Sequence, residues 1–223
     1  MYARFVGLAI VGILAATACS SSRQLTGVGM LPQRVSLDAQ ESNYVVTGAT
    51  ARELADAMRA NSPGRGWFSF NWSMRWGYDQ NAQRQASLSR GAVSQNRCGI
   101  EAIRITLTYR SVVPEWQPPP DVDSVLVRQW NAYTDAIRLH GEGHRDIALD
   151  AVREIHNRLE PLETEDTNNC TLLQREARSL VDDIWEEHNQ LGRDYHDNTE
   201  AGRTQGVVWP PRAGPPAAVD EET

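Results

Sequence analysis

The chain has 223 residues, of which 29 are acidic and 22 basic, and its formal net charge of −7 argues against a nucleic-acid partner, which would favour a basic face. Every basic residue is arginine, so Schiff-base chemistry and the lysine of a phosphate-binding loop are excluded. The length suffices for one sizeable domain, or for two small lobes sharing a core.

Residues 1–19 read as an export signal: Arg4 in a short basic start, an apolar run from Phe5 to Ala16, then small residues up to Cys19. The run is too short to favour a membrane span. Ala16-Thr17-Ala18-Cys19 resembles the bacterial lipoprotein processing site, with Ala16 where leucine is usual. That resemblance implies a lipidated Cys19 anchoring the protein to a membrane of the cell envelope; ordinary signal cleavage nearby is the alternative. Residues 20–41 are rich in Ser, Gln and Gly and suit a flexible tether, and residues 210–223 are a proline-rich, acidic tail that cannot build a core. The folded part is expected over 42–209. With Cys19 set aside, Cys98 and Cys170 form an even pair in an exported chain, which most economically makes one disulfide. Neither belongs to a C-x-x-C pair, which argues against the rival reading as metal ligands.

Within the folded part, Tyr44-Val45-Val46 predicts a short strand, and Thr50 with Glu53 three residues on predicts a capped helix through Leu54, Ala57 and Met58. Phe68, Phe70, Trp72, Met74 and Trp76 alternate with mostly polar residues, as do Ile103, Ile105, Leu107 and Tyr109, the period of strands with one buried face. After Pro118-Pro119-Pro120, with Asp121 or Asp123 as cap, one helical stripe carries Trp130, Tyr133, Ile137, His140, His144, Ala148, Ala151 and Ile155. A second helix, from about Thr171 to Leu191, carries Leu173, Ala177, Leu180, Ile184, His188 and Leu191. The expected fold is α+β: a small antiparallel sheet with one helix, followed by a long antiparallel helical hairpin, tied by one disulfide.

The chemistry concentrates in Leu139-His140-Gly141-Glu142-Gly143-His144-Arg145. Histidines four apart on a helix share one face, with Cβ atoms roughly 5 to 6 Å apart, the bite of a zinc ion bound about 2.0 to 2.1 Å from each nitrogen. In the H-E-x-x-H form of catalytic zinc sites the glutamate follows the first histidine and acts as base. Here Gly141 holds that place and Glu142 follows, about 200° round a regular helix from His140, so it points away from a metal unless the flanking glycines distort the turn. The bland alternative is that each buried histidine is satisfied by a core carbonyl or carboxylate. A catalytic site needs a third ligand and an open position. His188 on the facing stripe and His196 just beyond that helix are the candidates, His156 lies about 120° off the stripe, and Asp197, Glu187 and Asp194 are possible carboxylate ligands or bases.

These features, together with Cys98, Cys170 and the late Tyr195-His196-Asp197-Asn198-Thr199-Glu200-Ala201-Gly202-Arg203-Thr204-Gln205-Gly206, resemble a bacterial family of uncharacterised domains described as predicted secreted zinc-dependent proteases. Its helix motif is commonly H-E-x-G-H and its late motif resembles Y-D-x-x-T-x-H-G-x-x-Q-G. His140 and His144 match the proposed ligands, and Tyr195, Thr199, Gly202, Gln205 and Gly206 match the late motif. Gly141 replaces the proposed base, Ala201 stands where the late histidine would be, and His196 takes the place of the motif's aspartate. The resemblance implies an envelope zinc peptidase acting on a peptide or protein. In an active hydrolase, zinc would be held by His140, His144 and His196 or His188, Glu142 or a carboxylate of the loop after Leu191 would take the proton of the bound water, and Tyr195 would donate to the developing oxyanion, although a tyrosine at a helix end more often packs. The competing expectation is a catalytically inactive, lipid-anchored binding or scaffold module, for which exposed Trp67, Trp116 and Trp209 would speak.

Overall fold

The computed structural model describes residues 31–64, 66–84, 96–166 and 169–211; Cys19 and the signal segment lie outside them. The fold is mixed α+β. Its sheet has the order β1 (Val35–Val46), β3 (Asn96–Trp116), β2 (Ser69–Arg84), and a short β4 (Glu163–Asp166) also pairs with β3. The expectation of a purely antiparallel sheet is corrected here: β2 and β4 run antiparallel to β3, but β1 runs parallel to it. The register explains why. Val46 at the end of β1 and Ser69 at the start of β2 sit opposite Trp116 and Val112, at the same end of β3. The chain therefore leaves and re-enters the sheet at one end through α1 (Ala51–Asn61), which makes β2 opposite in direction to β1, and β3, antiparallel to β2, runs in the direction of β1.

The first strand also begins earlier than its apolar residues suggest. Val35 to Glu41 pair with Ile105 to Ser111, within the stretch whose composition reads as a tether. Val35 and Leu37 pack, partly buried, against the core while Ser36 and Asp38 to Glu41 are exposed, so a short apolar–polar alternation accompanies the backbone pairing of this edge.

Helix starts follow their caps. The Thr50 hydroxyl accepts from Glu53 N, while Glu53 Oε2 accepts from Ala49 N at 2.7 Å. Asp123 accepts from Val125 N at 2.8 Å and opens α2 (Ser124–Leu159), whose whole predicted stripe is buried. The third helix, α3 (Thr171–Asn198), runs past its expected end, and it buries Val181 and Gly192 where Leu180 and Leu191 were expected; Leu191 is exposed. Near its C-terminus α3 meets the earlier part of α2, and His188 faces Glu154, so the helices form an antiparallel hairpin. Ala148, Val152, Ile155 and Leu159 of α2 pack with Ala177, Val181 and Ile184 of α3 onto Ile103, Ile105 and Leu107 of β3. Burial at about 1.5–3 kcal/mol per large aliphatic side chain makes this layer a major source of stability. The Cys98–Cys170 disulfide, with Cα atoms 5.6 Å apart, ties β3 to the start of α3.

A second cluster fills the other end of the sheet, where Leu54 and Met58 of α1 meet Val113, Trp116, Trp130, Tyr133 and Trp209. Trp116 and Trp209 are thus core residues and not an exposed binding face. Their indole N–H groups donate to Gly48 O and Ala51 O, both at 3.0 Å, and Trp67 is partly buried against them. Among the described residues no helix is long and apolar enough to cross a membrane.

Candidate metal centre

The hairpin brings His140 and His144 of α2 against His196 on the last turn of α3. One nitrogen from each ring lies within 4.8 Å of the other two, an arrangement that could hold a metal ion. His140 and His144 are buried and His196 is exposed, so the group sits in the wall of a cleft and not in the middle of the core. The cleft has a volume of about 500 Å³; Phe68, Phe70 and Trp72 form one side, with Asn189, Arg193 and Asp197 among the residues on the other.

The two glycines of the motif are required by packing. A Cβ on Gly141 would run into the Phe70 ring and lie 2.9 Å from the Tyr109 hydroxyl, and one on Gly143 would run into the Tyr195 phenol. Gly141 therefore faces the sheet, with Tyr109 donating to its carbonyl at 2.9 Å. A glutamate at that position would have to displace Phe70. Neither glycine interrupts the helix, for both lie inside the continuous α2.

A turn after α3 completes the surroundings of His140. Glu200, Ala201, Gly202 and Gly206 all take positive φ, 50°, 56°, 85° and 102°, reversing the chain so that Gln205 returns to α2. Gly202 packs so closely on His140 that a Cβ would lie 3.0 Å from its Cγ, and its left-handed φ independently favours glycine. Gln205 Oε1 lies 3.0 Å from His140 Nδ1, and Tyr195 stacks on the His140 ring at 5.2 Å.

Burial sets the electrostatics. Desolvation first, then His140 and His196, lowers the His144 pKa to about 4, and desolvation also lowers that of His140, partly opposed by the bond to Gln205. Both rings are therefore neutral near pH 7, as metal ligands must be. His140 Nε2 and His144 Nδ1 are buried with no hydrogen-bond partner among the described residues. Buried polar groups are normally paired, so unsatisfied nitrogens on two clustered rings fit a cation as the missing partner, and three imidazoles in an open cleft fit the donor set of a catalytic zinc.

Of the residues singled out in the sequence, His140, His144 and His196 come together. His196 reaches them from α3 itself, which continues through it to Asn198, and so needs no loop rearrangement to stand in for the histidine absent at Ala201. His188 does not join them: its Nδ1 lies 3.0 Å from Ile184 O and its Nε2 3.9 Å from Glu154, near the far end of the hairpin. Glu142 is exposed and lines no part of the cleft, as its angle on a regular helix requires. Tyr195 packs beneath His140 with its hydroxyl 3.3 Å from His140 O, inside the network and outside the cleft lining. Periodicity did not single out Gln205 or the Phe68–Phe70–Trp72 wall as parts of the site; only the late motif pointed to Gln205.

Fold and site together define a mixed α+β protein whose helical hairpin carries a three-histidine group competent for a metal ion. Residues 41–203 match the family described as "Bacterial protein of unknown function (DUF922)", and the chain belongs to that family. No curated protein and no solved structure matches it significantly.

Proposed function

We propose that this protein is an envelope-located, zinc-dependent peptidase whose metal is held by His140, His144 and His196. The observation that carries the reading is the pair of buried, unpartnered histidine nitrogens beside a third imidazole in a cleft wall. Bound zinc would supply a coordinated water with its pKa lowered toward 7 and polarisation of a peptide carbonyl. The chain's own residues supply the rest. Phe68, Phe70 and Trp72 give an apolar wall for a substrate side chain and keep water from that side. Asp197, on the cleft wall next to His196, replaces the base missing at Gly141 as the acceptor of a proton, a role Glu142 cannot fill from the solvent face. The Cys98–Cys170 disulfide fits an oxidising compartment, in agreement with export and lipidation at Cys19.

One observation favours a second reading, a metal-binding but inactive envelope module: among the described residues no carboxylate joins the group. A single set of measurements separates the two. Purified protein should retain about one equivalent of zinc by elemental analysis, lost in the His140→Ala/His144→Ala variant. It should cleave an unstructured protein such as casein, with Asp197→Asn abolishing cleavage and Glu142→Gln leaving it unchanged. Zinc retention without cleavage selects the inactive module, and no zinc in the wild type overturns both.

A further inference from the structure

Tyr195, Gln205 and His140 close a ring of hydrogen bonds. The Gln205 amide donates through Nε2 to the Tyr195 hydroxyl at 3.0 Å, that hydroxyl donates to His140 O at 3.3 Å, and Gln205 Oε1 meets His140 Nδ1 at 3.0 Å. We propose that Gln205, held by Tyr195, is a positioning residue that locks His140 in the Nδ1–H tautomer and so reserves its Nε2 lone pair for the metal.

Three observations converge on this assignment. With Nε2 of the amide committed to Tyr195, Oε1 is the atom facing the imidazole, and a carbonyl oxygen can only accept, so Nδ1 must carry the proton. Thr199 agrees independently. Its hydroxyl donates to Tyr195 O at 2.8 Å, so towards Nδ1, 3.4 Å away, it too can only accept. The reversed amide would put an NH2 group against Nδ1 and move the imidazole proton to Nε2, where a buried N–H would have no acceptor among the described residues. Second partners of this kind orient ligating histidines and typically change metal affinity by about 10–100-fold when removed. The ring also gives Tyr195 a role other than that of an oxyanion donor: its hydroxyl has acceptors within the ring, the His140 carbonyl at 3.3 Å and Gln205 Oε1 at 3.4 Å, and its phenol fills the space that Gly143 leaves free.

The inference rests on the three-histidine metal reading, yet its first test needs no metal. In the metal-free wild-type protein, the long-range 1H–15N spectrum of the imidazoles should show His140 protonated at Nδ1 and bare at Nε2. Gln205→Ala should release that preference and weaken Zn2+ binding, measured by competition with a chromophoric chelator, by about 10–100-fold at unchanged circular dichroism. Gln205→Glu, whose carboxylate accepts from Nδ1–H, should restore the tautomer. Tyr195→Phe should weaken the preference without abolishing it. A wild-type His140 protonated at Nε2 overturns the proposal without recourse to any variant, as does a folded Gln205→Ala protein with unchanged tautomer and affinity. A wild type that shows the Nδ1–H tautomer but binds no Zn2+ would leave the positioning intact and remove the metal reading instead.

Discussion

The helical hairpin buries histidines in two places, and they are solved in opposite ways. At one, His188 finds Ile184 O within its own helix and the Glu154 carboxylate across the hairpin. At the other, His140 and His144 keep buried nitrogens that nothing in the described residues satisfies, next to His196 and an open cleft. All three buried rings lie on apolar stripes with similar spacing. The difference teaches that burial of a histidine says little about its role, while an unsatisfied nitrogen shared with neighbouring rings says a great deal. The glycines mark the same contrast. Gly141 and Gly143 let Phe70 and Tyr195 press onto the helix where the three-histidine group lies, whereas His188 has the ordinary side chains Glu187 and Asn189 beside it.

The contrast can be broken most decisively at the proposed metal. Treating the protein with a chelator should lower its thermal midpoint, because a ligand present at about 1,000 times its dissociation constant stabilises the folded state by roughly 4 kcal/mol. The same chelator shift should persist in His188→Ala and vanish in His140→Ala/His144→Ala. A His188→Ala protein that has lost the shift would make the two places one site. Next in size is Gly143→Ala. Its methyl group would collide with Tyr195, and overpacking of this kind costs about 1–3 kcal/mol. Denaturant unfolding should show that loss, together with weaker zinc retention. Alanine at Gly64, where a Cβ meets nothing within 4 Å, is the control and should change neither. The smallest effect belongs to Glu154→Gln. At 3.9 Å and with a partly exposed carboxylate, this contact is worth about 0–1 kcal/mol, and metal content should stay as in the wild type.

Much of this was legible beforehand. The Thr50 cap, the alternation along Phe68–Trp76 and Ile103–Tyr109, the α2 stripe and the Cys98–Cys170 pairing all reflect local periodicity or cysteine arithmetic, and the structure shows each of them. The parallel placement of β1 was not legible, because alternation marks the face a strand buries and not the direction in which it pairs. The end of α3 was missed because its buried face shifts from the Leu191 row to Gly192, and a glycine carries no hydrophobic signal even where a Cβ on it would lie 3.4 Å from Trp72. That same miss left His196 seemingly on a loop. Trp116 and Trp209, off every stripe, are core residues because they close the end of the sheet beside α1.

The sequence by itself determined that two imidazoles share one helical face and that Glu142 lies off it, since both follow from the 100° advance per residue of any α-helix. Only the tertiary structure decided which third histidine joins them, why Gly141 admits no base and what holds the His140 proton. Those answers depend on how far α3 runs, how the sheet presses Phe70 onto α2 and how four left-handed residues bring Gln205 back, and contacts between distant segments have no period along the chain from which to be read.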